Sequence, residues 1–186
     1  MEEESRHERV AQDSVDRELG GWMGELPGVD PAVEAGRLRL VRIARQLERM
    51  LSSIAAQHGL TLGDWETLSV LRRSGSPYEM APTALAQALG VTSGTVSVRL
   101  DRLRRAGLVE HTGTAGDARS HPVWLTEAGR ERWRRATDER TQMERTLFGE
   151  ALTPVEMDQL NSLLQRVMTR LERELGPAPG RQLSQP

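Results

Sequence analysis

Ser93, Thr95 and Ser97 put three hydroxyls into one short stretch, and the chain then turns basic: residues 99–105 carry four Arg against one Asp. Such groups do not break bonds. They exchange hydrogen bonds with phosphate oxygens and base edges. With Val96, Leu100 and Leu103 turned inward on a helix, Ser93, Thr95, Ser97, Val98 and Arg102 are left on outer faces. Thr92 or Ser93 can cap that helix, and its free N–H groups and dipole favour a phosphate at the same end. Gly94 lets another backbone come close. Arg104 adds to the basic run. Downstream, residues 111–121 (HTGTAGDARSH) are too polar to pack, and Arg119 within them suits a minor groove, whose potential attracts arginine. Asp117 can pair with Arg102 or Arg104 and set the angle of that arm.

Reaction chemistry finds no comparable support. The chain has no Cys, which removes thiol nucleophiles, thiolate metal sites and disulfides. It has no Gly-rich phosphate loop, no G-x-S-x-G elbow and no His–carboxylate cluster of useful spacing. His7, His58 and His121 read as surface residues, and their spacing supports no metal site. An enzyme is not expected, nor a cofactor. The remaining rival to DNA binding is an adaptor that uses the same small unit to hold protein, without a ligand response.

The elements that must hold these groups follow from periodicity. Residues 82–126 read as helix, Gly90 turn, helix, then two short extended segments, 108–111 and 122–125, paired around a Gly-rich loop. Leu85, Leu89, Val91, Val96, Leu100, Leu103 and Leu108 form the expected small core. Upstream, residues 5–23 predict a helix with a stripe of Val15, Leu19 and Trp22. Asp30-Pro31 is an N-cap with Pro at the first helical position. The following helix carries Leu40, Ile43, Leu47, Met50 and Ile54 as a seam for a partner helix. Val41, Ala44, Leu51 and Ala55 widen it, which predicts burial on two sides, and Gly59 ends it. Thr61 caps a helix with Asp64 at its favourable end. Thr126 starts a long helix through Trp133, Ala136, Met143 and Leu147. Thr153 to Glu156 is a capping box before a last helix with Leu160, Leu164, Val167, Leu171 and Leu175 on one face.

The expected organisation is an N-terminal extension (1–31), a dimerisation helix (32–60), a DNA-binding lobe (61–125), C-terminal dimerisation helices (126–175) and a disordered Pro/Gly-rich tail (176–186). Only 3% of the 186 residues are aromatic, so the core must come from aliphatic side chains on stacked helices. Net charge is −2, so the whole molecule does not advertise a nucleic-acid partner; the local run does. All 25 basic residues are Arg. The charged N-terminus and the absence of a long apolar run predict a soluble cytoplasmic protein with no membrane association.

The run ALGVTSGTVSVRLDRLRRAGLVE, followed by Asp117-Ala118-Arg119-Ser120 and by Val123-Trp124-Leu125-Thr126-Glu127-Ala128-Gly129, resembles the MarR family of winged-helix transcriptional regulators. The Asp-x-Arg wing and the Leu-Thr-x-x-Gly that follows it are the most specific part, and the likeness covers residues 36–175. It implies a mainly α fold with a small β-hairpin wing. It also implies a homodimer with interlocked terminal helices whose two winged helix-turn-helix lobes bind palindromic double-stranded DNA, most often as a repressor. WMGELPGVD from Trp22 and RRSGSPYEMAPTAL from Arg72 further resemble the urate- and citrate-responsive branch of UrtR-, PecS- and TamR-like regulators. That likeness implies a small organic anion (urate-, citrate- or phenolic-acid-like) as effector, with Trp22, Glu66, Arg99 and His111 at the ligand. Glu66 stands where the branch usually has Asp. His111 stands where many members have Arg, which replaces a permanent charge with a titratable one.

Overall fold

The helices start where short polar side chains can satisfy their first N–H groups. The structure is a computed structural model that describes residues 12–25, 28–111 and 121–177. Helix α1 (Ser14–Trp22) begins after Asp13, whose Oδ1 accepts from the Val15 and Asp16 amides at 2.7 and 3.0 Å. Residues 12 and 13 precede the helix, and the earlier part of the expected helix, residues 5–11, lies outside the described residues. A 3-10 turn, Met23–Glu25, follows. Helix α2 (Pro31–Gln57) starts at Asp30, which accepts from the Ala32 amide at 2.8 Å. Gly59, at φ +66°, turns the chain away from its end.

Contacts divide the chain into two units, residues 1–50 and 51–186, with α2 running through the boundary. In the first unit α1 is tied to the early turns of α2. Arg39 reaches Asp13 at 2.8 Å and Asp16 at 2.5 Å, and Arg42 engages Ser14 at 2.7 Å and pairs with Glu18. Val15 and Leu19 are buried. The broad burial expected for α2 is not found within the single chain. Leu40, Val41 and Ile43 are 44%, 37% and 52% exposed, and only Ile54 and Ala55, near its far end, are buried. A stripe of this kind gains burial only from a facing surface, and Leu40, Val41 and Ile43 stay open among the described residues.

The second unit holds α3 (Leu62–Arg73), β1 (Glu79–Met80), α4 (Pro82–Leu89), α5 (Ser93–Arg105), β2 (Val109–His111), β3 (Val123–Leu125), α6 (Glu127–Ala151) and α7 (Pro154–Leu175). Leu68, Leu71, Leu85, Val96, Leu103, Leu108, Val123 and Leu125 are almost wholly enclosed and form the core beneath α3, α4 and α5. Val91, expected in this core, is only partly buried. The β2–β3 hairpin is antiparallel, with His111 opposite Val123 and Val109 opposite Leu125. A third strand was not expected. β1 lies on the other side of β3, with Glu79 opposite Trp124 and Met80 opposite Val123. Tyr78 enters that strand at φ +64°, with Arg72 over its ring at 4.6 Å.

The Leu-Thr-x-x-Gly run has a physical cause. Thr126 caps α6 through the Gly129 amide (3.0 Å), and its hydroxyl donates to the Gly107 carbonyl (2.8 Å) at the end of the α5 turn. A Cβ at Gly129 would run into the Leu108 carbonyl oxygen. One turn of α6 is therefore seated directly on the backbone that follows α5. Further along, Trp65 Nε1 donates to Thr137 Oγ1 at 3.3 Å and Trp133 Nε1 to Ser69 Oγ at 2.9 Å, which joins α3 to α6.

Helix α7 starts at the expected Thr153–Glu156 capping box, with Pro154 at its first position. None of its residues is buried. Leu164, Val167, Leu171 and Leu175 lie along it at 37%, 47%, 48% and 79% exposure. Among the described residues no helix is long and apolar enough to cross a membrane. The tail expected to be disordered falls largely, from residue 178 onward, outside the described residues.

Candidate nucleic-acid interface

Helix α4 and helix α5 meet through Gly90, at φ +64°, where a residue with a Cβ would be strained. Thr92, not Ser93, is the cap of α5. Its Oγ1 accepts from the Thr95 amide at 3.2 Å and lies 3.0 Å from Thr95 Oγ1. Val96, Leu100 and Leu103 face the core, so the opposite side of the first turns is left in the open. Thr92, Ser93, Thr95 and Ser97 are exposed there, and Val98 is 63% exposed. Ser97 donates back to the Ser93 carbonyl at 3.0 Å. A Cβ at Gly94 would meet nothing nearer than Thr92 Oγ1 at 3.9 Å, so the fold of the chain itself does not require glycine there.

The basic residues of α5 divide into two sets. Arg104 and Arg105 are exposed, with Arg104 only loosely paired to Asp101 at 3.4 Å. Arg99 and Arg102, one turn apart, reach back to the first turns of α3. Arg102 Nε lies 3.0 and 2.8 Å from the two oxygens of Asp64, and its Nη2 lies 2.6 Å from Oδ1. Asp64 also closes the α3 capping box, accepting from the Thr61 amide at 2.9 Å and the Thr61 hydroxyl at 2.7 Å. Burial would raise its carboxyl. The Arg102 guanidinium and the Thr61 hydrogen bonds outweigh that and hold it below the usual carboxylate range. The same pair raises Arg102. Asp117, expected to pair with Arg102 or Arg104, lies outside the described residues, as does Arg119.

Arg99 is mostly enclosed. Its Nη1 donates to the Gly63 carbonyl at 3.2 Å and stands 3.7 Å from Glu66. A Cβ at Gly63 would come within 2.5 Å of Arg99 Cζ, so a larger residue there would push the guanidinium aside. Glu66 and Arg99 are thus brought together. His111, at the end of β2, has a buried Nδ1 with no hydrogen-bond partner among the described residues, and an orphaned buried nitrogen costs the desolvation it cannot recover. Trp22, the fourth residue expected at the ligand, ends α1 in the first unit, and its side chain lies outside the described residues. Sequence reasoning missed Asp64 as a partner of the proposed recognition helix. The Thr61-x-x-Asp64 spacing showed the cap, but nothing local shows which cation fills the other side of that carboxylate.

The family profile described as MarR family matches residues 58–120. The HTH-type transcriptional regulator PecS of Dickeya dadantii (strain 3937) is 31% identical over 152 residues, which cover 81% of this chain and 90% of that protein. The crystal structure of wild-type MarR from E. coli, apo form, superposes with a TM-score of 0.58 at 26% identity, over 72% of this chain and 96% of that one. A mutant of MepR from S. aureus, bound to an oligodeoxyribonucleotide, shares the fold at a TM-score of 0.54 and 24% identity, over 73% of this chain and 96% of that one.

Proposed function

The chain belongs to the MarR family of winged-helix transcription regulators, which are not enzymes, and from that premise we propose that it is a homodimeric repressor of a palindromic operator, released by a small organic anion. DNA binding is the family's common activity. What carries its placement on this chain is the open, Thr92-capped start of α5. Thr92, Ser93, Thr95, Ser97 and Val98 lie in the major groove with Arg104 at the backbone, and Arg119 of the wing enters the flanking minor groove. Small hydroxyl side chains cost little to desolvate, and Gly94 leaves room for a sugar–phosphate backbone. Two copies place two such helices on one face of the duplex, about 10 bp apart. Apolar residues left open on α2 and on α7 supply the contact between copies. The working compartment is the cytoplasm.

Regulators of this family bind small-molecule effectors. On this chain Arg99, Glu66 and the orphaned Nδ1 of His111 support a polar, anionic ligand beside α5. Release requires that the ligand prefer the DNA-incompetent arrangement; a preference of about 100-fold, or about 2.7 kcal/mol, is enough to matter. Thermal unfolding with urate, citrate, aconitate and phenolic acids, run beside operator binding, tests the proposal. A ligand that raises the midpoint and weakens the DNA complex supports it. No response to any of them retires the small-anion effector and leaves the DNA-binding reading standing.

A further inference from the structure

We propose that Arg102 and Asp64 form the clamp that aims the recognition helix, so that Arg102 serves DNA binding by holding α5 and not by touching a phosphate. The inference rests on the reading of α5 as the DNA-contacting helix. Its ground is the geometry of one buried carboxylate. Asp64 is 2% exposed, yet both its oxygens are filled, by Arg102 on one side and by Thr61 on the other. Arg102 Nη2 adds a bond to Thr61 Oγ1 at 3.1 Å. A capping box needs only its own helix. This one presents its carboxylate to a second helix, which meets it with the planar, two-nitrogen edge of a guanidinium. That contact is directional and side-specific.

The apolar contacts of α5 cannot do the same work. Val96, Leu100 and Leu103 seat the helix on the core, but the driving force of apolar burial is non-directional and names no single partner. Arg102 lies nine residues beyond Ser93, about 13.5 Å along the helix axis. If α5 pivoted by roughly 10° about the clamp, its Ser93 end would swing by about 2 Å, several times the spread of lengths a hydrogen bond tolerates. Arg99 adds a weaker hold one turn earlier, through the Gly63 carbonyl. Because Asp64 is negative and close to the basic face, its effect on DNA has opposite signs under the two roles. As a bare charge it repels the duplex, whereas as part of a clamp it is needed by the duplex.

The test uses the full chain with Arg102→Lys, Arg102→Gln, Asp64→Asn and the double Arg102→Gln/Asp64→Asn. Measured are operator affinity across a salt series and hydrogen exchange of α5 amides without DNA. The clamp predicts that R102K, R102Q and D64N each lose about tenfold or more in affinity, and that the double loses no more than the worse single. The slope of log affinity against log salt should not change, and α5 exchange should rise in every variant. A phosphate contact predicts a near-normal R102K, tighter binding by D64N, and a slope reduced in R102Q by about 0.9 per contact, or about 1.8 for two copies. That result, or unchanged α5 exchange in D64N, overturns the clamp. If the parent chain binds no DNA, the functional reading beneath falls, while the exchange data still decide whether Asp64 holds α5.

Discussion

Val167→Asp is the substitution whose effect separates a lone chain from an assembled one most sharply. Val167 is 47% exposed, between Leu164 at 37% and Leu171 at 48% on the same stripe of α7. Fully burying such a side chain contributes about 1.5–3 kcal/mol. Since less than half of each remains to be covered, a partner helix supplies about 1 kcal/mol per residue. Three residues in each of two copies then give about 6 kcal/mol, enough to hold a dimer together with the open residues of α2. In a two-fold contact the aspartate enters twice. It forfeits about 2 kcal/mol of apolar burial and adds two carboxylates that must be desolvated or neutralised, at a further few kcal/mol. A loss of about 4 kcal/mol weakens the dimer roughly a thousandfold. Sedimentation velocity from nanomolar to micromolar protein reads this directly. On a free monomer surface the same change would stay within about 0.5 kcal/mol. A V167D chain that remains dimeric with unchanged affinity would show that α7 faces solvent, and the assembly argued above would be wrong.

Three smaller expectations follow from single contacts. Gly129→Ala puts a methyl group against the Leu108 carbonyl and should lower stability by about 1–3 kcal/mol in chemical denaturation; an unchanged midpoint would mean that the α6 start is not seated as described. Gly94→Ala meets open space, so it should leave stability unchanged or raise it by up to about 1 kcal/mol, yet weaken operator binding; normal DNA affinity would remove this turn from the interface. Asp64 is held below its ordinary value in the fold, so it binds a proton less readily folded than unfolded. Its contribution is therefore present above the unfolded carboxylate value near 3.8 and lost as pH falls through the lower folded one. Denaturation between neutral and acidic pH should show this loss in the parent chain and a flatter acid limb in D64N; identical limbs would contradict the pairing.

The sequence announced whatever depends on neighbours along the chain. Thr61, Thr126 and Thr153 cap where their spacing said, because a cap is a contact over two or three residues. Leu85, Leu100 and Leu103 are buried as the helical period required. What was not legible joins distant segments. β1 is two residues long, too short to show alternation, and exists through pairing with β3 some 45 residues later. Arg102 sits on an outward arc of the helical wheel, and only the folded chain brings Asp64, 38 residues earlier, beneath it. A helical wheel gives the direction of a side chain, not its partner. For α2 the apolar spacing marked a seam for a partner helix, and among the described residues Leu40, Val41 and Ile43 remain open.

The most direct measurement is the affinity of the purified chain for double-stranded DNA from upstream of its own gene, taken across a salt series beside a scrambled duplex. Binding through the α5 start predicts a two-fold complex that prefers the upstream DNA and weakens linearly in log salt, with protection over two half-sites about one helical turn apart. Equal affinity for both duplexes, or no salt dependence, would contradict it.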